Sequence, residues 1–347
     1  MLKITKQSLN IVLPLLLVLW SIIAQAATPQ KKIPDPFEQN RLLARGVNLG
    51  NALEARKEGQ MGVVLEKRFF ELIKNAGFNS VRIPVRWSAH ALPESPYTIE
   101  PAFFDRVDWA VKNALDRDLR VVLNMHHYRE LKENPEEHSQ RFLELWQQIA
   151  EHYKNYPDSL LLEFLNEPCR KLDAEKWNRL AKQTLNLVRQ SNPNRTIVIG
   201  PGNWNNLSHL DRLQLPEDDR NIIVTCHYYS PFSFTHQGAN WVDADSDQWL
   251  GTTWTGTEEQ KQNVIKDFDT IDAWAKKNNR PIYIGEFGAY SKADMLSRAL
   301  WTNFVARQAE ERNFSWAYWE FCAGFGVYDR KKNDWNHPLL NALIPPK

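Results

Sequence analysis

Residues 160–168 read LLLEFLNEP. Most of this is the unbroken apolar run of a parallel strand covered on both faces, yet it closes on Asn166 and Glu167 before Pro168 stops it. Removing an ionised carboxylate from water is costly unless it is paired or its pKa moves, so a strand that ends on Glu167 has a task for it. The pattern recurs along the chain. Short β-rich runs occur at residues 45–50 (RGVNLG), 80–85 (SVRIPV), 120–126 (RVVLNMH), 160–167 (LLLEFLNE), 196–200 (TIVIG), 222–229 (IIVTCHYY), 281–287 (PIYIGEF) and 315–321 (SWAYWEF). The stretches between them have helical periodicity: Phe142, Leu145, Trp146, Ile149, Ala150 and Tyr153 share one helix face, as do Trp177, Leu180, Ala181, Leu185 and Val188. Eight strand–helix alternations predict an α/β fold, a single (β/α)8 barrel. An open doubly wound sheet is less consistent, because no G-x-G-x-x-G or P-loop follows the first strand.

The ends of the chain divide it further. Lys3 and Lys6 precede thirteen mostly apolar residues, 11–23, and Ala24-Gln25-Ala26 has the small-residue form of a signal-peptidase site. That run is shorter than the roughly 18 residues a membrane span needs, so a signal peptide over 1–26 and a secreted or periplasmic protein are expected. Residues 27–42, rich in Pro and Lys at their start, read as a lead-in, and 43–347 as one domain. Of 347 residues 43% are hydrophobic and 24% charged, which suits a globular enzyme. Without residues 1–26 the formal charge is −1, so neither nucleic acid nor an anionic membrane is an expected partner. Cys169, Cys226 and Cys322 are odd in number and widely spaced, with no C-x-x-C, and no disulfide is expected.

In a barrel of this kind the chemistry sits at the C-terminal ends of the strands. There the sequence places Asn48 and Asn51, Arg82, His126 and His127, Asn166 and Glu167, His227 with Tyr228 and Tyr229, Glu286, and Trp319 with Glu320. Taken singly, each has an ordinary structural explanation; together they put a polar or aromatic group at nearly every strand end. Glu167 and Glu286, on strands four and seven, face each other across the mouth. Glycoside hydrolysis needs such a pair, about 5–5.5 Å apart for retention and about 6.5–9.5 Å for inversion. Like-charge repulsion between them raises one pKa. Arg82 is suited to holding a carboxylate ionised, and His227 and Tyr229, two apart on one strand, to orienting it.

These residues carry a resemblance. The N-E-P of strand four, G-E-F of strand seven, R-I-P at Arg82, N-M-H-H at residues 124–127, H-Y-Y of strand six and W-A-Y-W-E of strand eight resemble glycoside hydrolase family 5, the cellulase family of retaining (β/α)8 enzymes. The similarity runs from about residue 43 to 344 and is greatest to bacterial endo-β-1,4-glucanases with mannanase side activity. It implies Glu167 as acid/base, Glu286 as nucleophile and Asn166 as donor to the sugar 2-hydroxyl. Arg82, His126, His127, His227, Tyr229 and Trp319 complete the site of the bound sugar. Asn51 and Glu54 are implied on the non-reducing side, and Trp204, His236 and Trp241 on the other. The implied substrate is a β-linked polysaccharide, the protein a monomer, and no cofactor or metal is required. Three positions depart from the pattern: Arg56 stands where relatives tend to have proline, Cys169 where histidine is common, and Cys226 in place of an aliphatic residue. Two rival readings are an inactive sugar-binding barrel, which calls for a missing carboxylate although both are present, and a metal-dependent barrel hydrolase. The latter lacks an H-x-H after strand one and any H-E-x-x-H.

Overall fold

All eight apolar runs form strands of one closed parallel barrel in sequence order. They are β1 (Arg45–Asn48), β2 (Ser80–Ile83), β3 (Arg120–Asn124), β4 (Leu160–Glu163), β5 (Ile197–Ile199), β6 (Ile222–Tyr228), β7 (Ile282–Phe287) and β8 (Ser315–Tyr318), and β1 closes the ring by pairing with both β2 and β8. The computed structural model describes residue 2, residues 35–242 and residues 245–346. The expected signal segment, 1–26, therefore falls outside the described residues except at its second position.

The strands are shorter than their apolar runs. Ladder pairing of β4 stops at Glu163, although Phe164 and Leu165 remain buried. Apolar continuity reports burial, and burial persists after the ladder has splayed into the mouth. Within β4 the alternation of side chains decides which layer each joins. Leu161 meets Val122, Val198, Ile223, Tyr283 and Ala317 inside the barrel, with Leu43 packed among them. Leu160, Leu162 and Phe164 face outward into the larger core beneath the helices. The helix faces read from periodicity are the buried ones in Pro135–Tyr153 and Ala174–Ser191. Trp146 and Trp177 belong to that core, their indole N–H groups donating to the Phe164 and Gly200 carbonyls.

Within the expected lead-in, a helix at Pro36–Leu43, capped by Asp35, packs at the barrel floor. Ser315 Oγ donates to Asn40 Oδ1 at 2.5 Å, and Ser80 Oγ to the Leu43 carbonyl at 2.8 Å. The three cysteines are buried and unpaired.

Candidate active site

Above its apolar floor the barrel interior turns polar, and Arg82 organises it. This side chain is wholly buried, so each donor of its guanidinium needs an acceptor. Nε and Nη2 donate to the two oxygens of Glu163 at 2.7 and 2.8 Å, Nη2 also to Asn166 Oδ1 at 2.7 Å, and Nη1 to Asn48 Oδ1 at 2.9 Å and Glu286 Oε1 at 2.6 Å. Burial works against the charge, but Glu163 and Glu286 outweigh it and raise the guanidinium's pKa. Glu163 did not stand out as a site residue within its apolar run. The available signal was the period-2 alternation that puts a carboxylate two residues after Leu161, on the interior face. Replacing Glu163 with glutamine is expected to destabilise the fold by about 3–5 kcal/mol, as breaking one partner of a buried pair does. Urea unfolding measures this; a loss below about 1 kcal/mol would mean that Glu286 and the two asparagines hold Arg82 unaided.

The two expected carboxylates meet at the mouth. Tyr229 donates its hydroxyl to Glu286 Oε2 at 2.9 Å, so Glu286 has a fixed donor on each oxygen. Glu167 has a positive φ of 50°. Its Oε1 lies 2.8 Å from His227 Nδ1, which is 3.5 Å from Glu286 Oε2. His227 was expected to orient Glu286; its shorter contact is with Glu167. Asn205 Nδ2 lies 3.2 Å from His227 Nε2, an arrangement that suits the tautomer with its proton on Nδ1, facing the carboxylates. Donor atoms of Glu167, His227 and Glu286 lie within 4.8 Å of one another. Such a cluster can ligate a metal, but the Arg82 guanidinium already occupies the neighbourhood of Glu286 with positive charge, which disfavours a second cation there.

The proton affinities of the two carboxyls run opposite to the simple expectation. Burial raises Glu167, but the hydrogen bond and the electrostatic influence of His227 outweigh it and hold the carboxyl below its usual range. Burial raises Glu286 above that range, against His227 and Arg82, which lower it.

On the β1–β3 side, Trp319 and His126 are parallel, with centroids 5.3 Å apart and planes 8° apart, and His127 meets His126 edge-on at 4.8 Å. Gly50 makes room for the indole, since a Cβ there would lie 2.9 Å from Trp319 Cη2. Burial pushes His126 well below the usual imidazole range and His127 to about 4, so both are neutral near pH 7. Asn166 gives its oxygen to Arg82, which leaves its Nδ2 as the group free to donate. Asn51 is partly buried, with a positive φ of 64°. Glu54 departs from expectation: it is wholly buried, and its oxygens accept the Asn51 and Ala52 backbone N–H groups. It holds the loop that carries Asn51 instead of facing the cleft, and burial raises its pKa to about 7. Glu320 has the same function under Trp319, accepting N–H groups of Cys322, Ala323 and Phe325.

On the other side a cavity of about 760 Å³ is lined by Glu167, Trp204, His227, Tyr229, Phe232, His236 and Trp241. Trp204 and Trp241 are exposed by 46% and 52%, as stacking platforms require. His236 is buried at this wall, stacked on Phe232 at 4.1 Å and edge-on to Tyr229 at 4.8 Å, so it also braces Tyr229. A cavity of about 830 Å³ at the barrel's other end, beside Asn40 and Ser315, contains none of these groups.

Comparison with known proteins agrees with this arrangement. The profile described as Cellulase (glycosyl hydrolase family 5) matches residues 48–324. Endoglucanase H of Acetivibrio thermocellus is 37% identical over 94% of this chain, and the Cellulase/esterase CelE of the same organism 30% identical over 86%. The chain spans 35% and 39% of those two proteins' lengths. Thermotoga maritima Cel5A, solved in complex with cellobiose, is 54% identical, with a TM-score of 0.88 over 89% of this chain and 100% of that one. The cellulose synthase subunit Z of Clostridioides difficile is 42% identical, with a TM-score of 0.84 over 87% of this chain and 99% of its own. With the profile covering most of the barrel and every strand-end motif in place, the chain belongs to the cellulase family, glycosyl hydrolase family 5.

Proposed function

We propose that the protein is a retaining endo-β-1,4-glucanase that cleaves internal bonds of β-glucan, with glucomannan or mannan as secondary substrates. The observation that carries this reading is the facing pair Glu167 and Glu286, with one oxygen of each within 4.8 Å of the other, nearer to the about 5–5.5 Å of retaining pairs than to the about 6.5–9.5 Å of inverting ones. Relatives named endoglucanase support the glucan, and a Thermotoga maritima Cel5A structure with mannotriose supports the mannan.

In this reading Glu286, with donors on both oxygens, attacks the anomeric carbon while Glu167 protonates the departing oxygen. A water, deprotonated by Glu167, then releases the sugar. The order of the two proton affinities must reverse for this, and differential burial supplies a cause. The Glu167 side chain is still 24% exposed and that of Glu286 only 6%. A bound sugar chain therefore desolvates Glu167 far more and raises its pKa, while Glu286 has little water left to lose. Asn166 Nδ2 donates to the sugar 2-hydroxyl, and Trp319 stacks beneath the ring. Residues 1–26 act as an export signal, which N-terminal sequencing of the exported protein checks.

The aromatic platforms on both sides of the carboxylates favour attack within a chain. On mixed-linkage β-glucan, viscosity is expected to fall much faster than reducing ends appear. Release of only mono- or disaccharide from chain ends would overturn the endo assignment, and inactivity on every β-linked polysaccharide would favour a binding barrel.

A further inference from the structure

The mouth has two chemically different halves. The loops after β5 and β6 present the exposed rings of Trp204, Phe232 and Trp241. The loops after β1, β2, β3 and β4 are laced side by side. Arg86 N–H donates to the Leu53 carbonyl at 3.0 Å, His126 N–H to Val85 at 2.8 Å and Lys171 N–H to Lys132 at 3.1 Å. Ser88 Oγ donates to the His127 carbonyl at 3.2 Å.

Each of these four connections contributes cations, among them Arg56, Arg86, Lys132 (on the short helix Arg129–Glu133) and Arg170. Glu133 balances Arg170 at 3.1 Å. Among the described residues the other three side chains make no salt bridge or hydrogen bond, and Arg86 Nε is buried without a partner. The exposed acid Glu130 exerts its field on Arg86 but forms no ion pair with it. Arg56 is exposed, while Arg86 and Lys132 are half-buried. The fields of Lys132 and Arg86 both reach His127, after burial the main influences on its pKa. By contrast Arg82, Arg106 and Arg189 each have a carboxylate within 2.7 Å, and the buried Arg195, Arg280 and Arg298 donate to backbone carbonyls. Arg86 and Lys132, whose fields reach His127, and Arg56, whose field reaches Arg86, have no ion-pair partner among the described residues and, in a protein with almost no net charge, form a local anion site.

We propose that this half of the mouth recognises carboxylates carried by the sugar chain, so that acidic β-linked polysaccharides bind more tightly than neutral ones. This deepens the glucanase reading and rests on it. A guanidinium fork and an ammonium suit a carboxylate held at the edge of the cleft. Because the groups are partly exposed, the attraction weakens as salt screens it. The carboxylate can belong to the backbone, as in a sugar oxidised at C6, or to a substituent such as a carboxymethyl ether.

The test compares kcat/KM on a neutral β-glucan, its C6-oxidised form and its carboxymethyl form, for the wild type and the Arg56→Gln/Lys132→Gln double variant. Measurements at about 20 mM and about 500 mM NaCl bracket the screening length. The wild type is expected to prefer at least one acidic polymer roughly three- to tenfold at low salt, through KM, and to lose that preference at high salt. Which polymer is preferred identifies the carboxylate's position. The double variant is expected to lack the preference at both salt concentrations. Should it fold poorly, Arg56→Gln alone, at an exposed position, is expected to reduce the preference. No acidic preference in the wild type, a preference that survives in the variants, or an equal loss on the neutral polymer would overturn the proposal. Inactivity of the wild type on all three polymers would instead overturn the glucanase reading.

Discussion

Replacing Glu286 with alanine is expected to reduce hydrolysis of polysaccharide and of activated aryl glycosides alike, by on the order of 10⁴-fold or more, because no covalent intermediate can then form. The side chain is fixed by Arg82 at 2.6 Å and Tyr229 at 2.9 Å, so its loss also frees one guanidinium donor. Circular dichroism and a melting curve separate this effect from unfolding. Any rescue by azide is expected to yield the α-glycosyl azide, since azide then enters the face vacated by the carboxylate. In the wild type, double displacement requires the first product to be the β-anomer, which proton NMR reads directly. An initial α-anomer would mean inversion, and a variant with activity near that of the wild type would remove Glu286 from the mechanism.

Replacing Glu167 with alanine is expected to cost about 10²–10⁴-fold on polysaccharide, the range of general acid–base catalysis. An aryl glycoside with a good leaving group needs little protonation, so its first step is expected to survive. Added azide then restores turnover as a β-glycosyl azide, because the anion takes the place of the water that Glu167 would have activated. His227 keeps its Asn205 contact in this variant and loses its 2.8 Å carboxylate partner. Azide products exchanged between the two variants would mean that the two glutamates have been assigned in the wrong order.

The contrast between Glu167 and Glu163 shows how far a strand can be read. A carboxylate at the end of an apolar run is conspicuous, and Glu167 is at the mouth. A carboxylate inside the run is concealed, because parallel strands are apolar on both faces and an isolated polar residue does not mark which layer it enters. Glu54 erred in the opposite direction. Its place in a strand-end loop resembled a ligand contact, but two backbone N–H groups fold back onto it and bury it. His236 combines both outcomes, lining the cavity as expected and also packing against Tyr229.

The sequence by itself determined the eight strands and their order, the buried faces of the helices at Pro135–Tyr153 and Ala174–Ser191, and the family, since hydrophobic period and strand-end motifs are local in the chain. It also brought Glu167 and Glu286 to one rim, because a closed parallel barrel sends all its strand ends the same way. Only the tertiary structure decided what those carboxylates touch. The five acceptor contacts of Arg82 come from Asn48, Glu163, Asn166 and Glu286, residues up to 238 positions apart in sequence. Arg56, Arg86 and Lys132, which make no ion pair among the described residues, likewise sit on separate segments of the chain. Hydrogen bonds and electrostatic fields depend on distances across the barrel, and barrel closure alone fixes those distances.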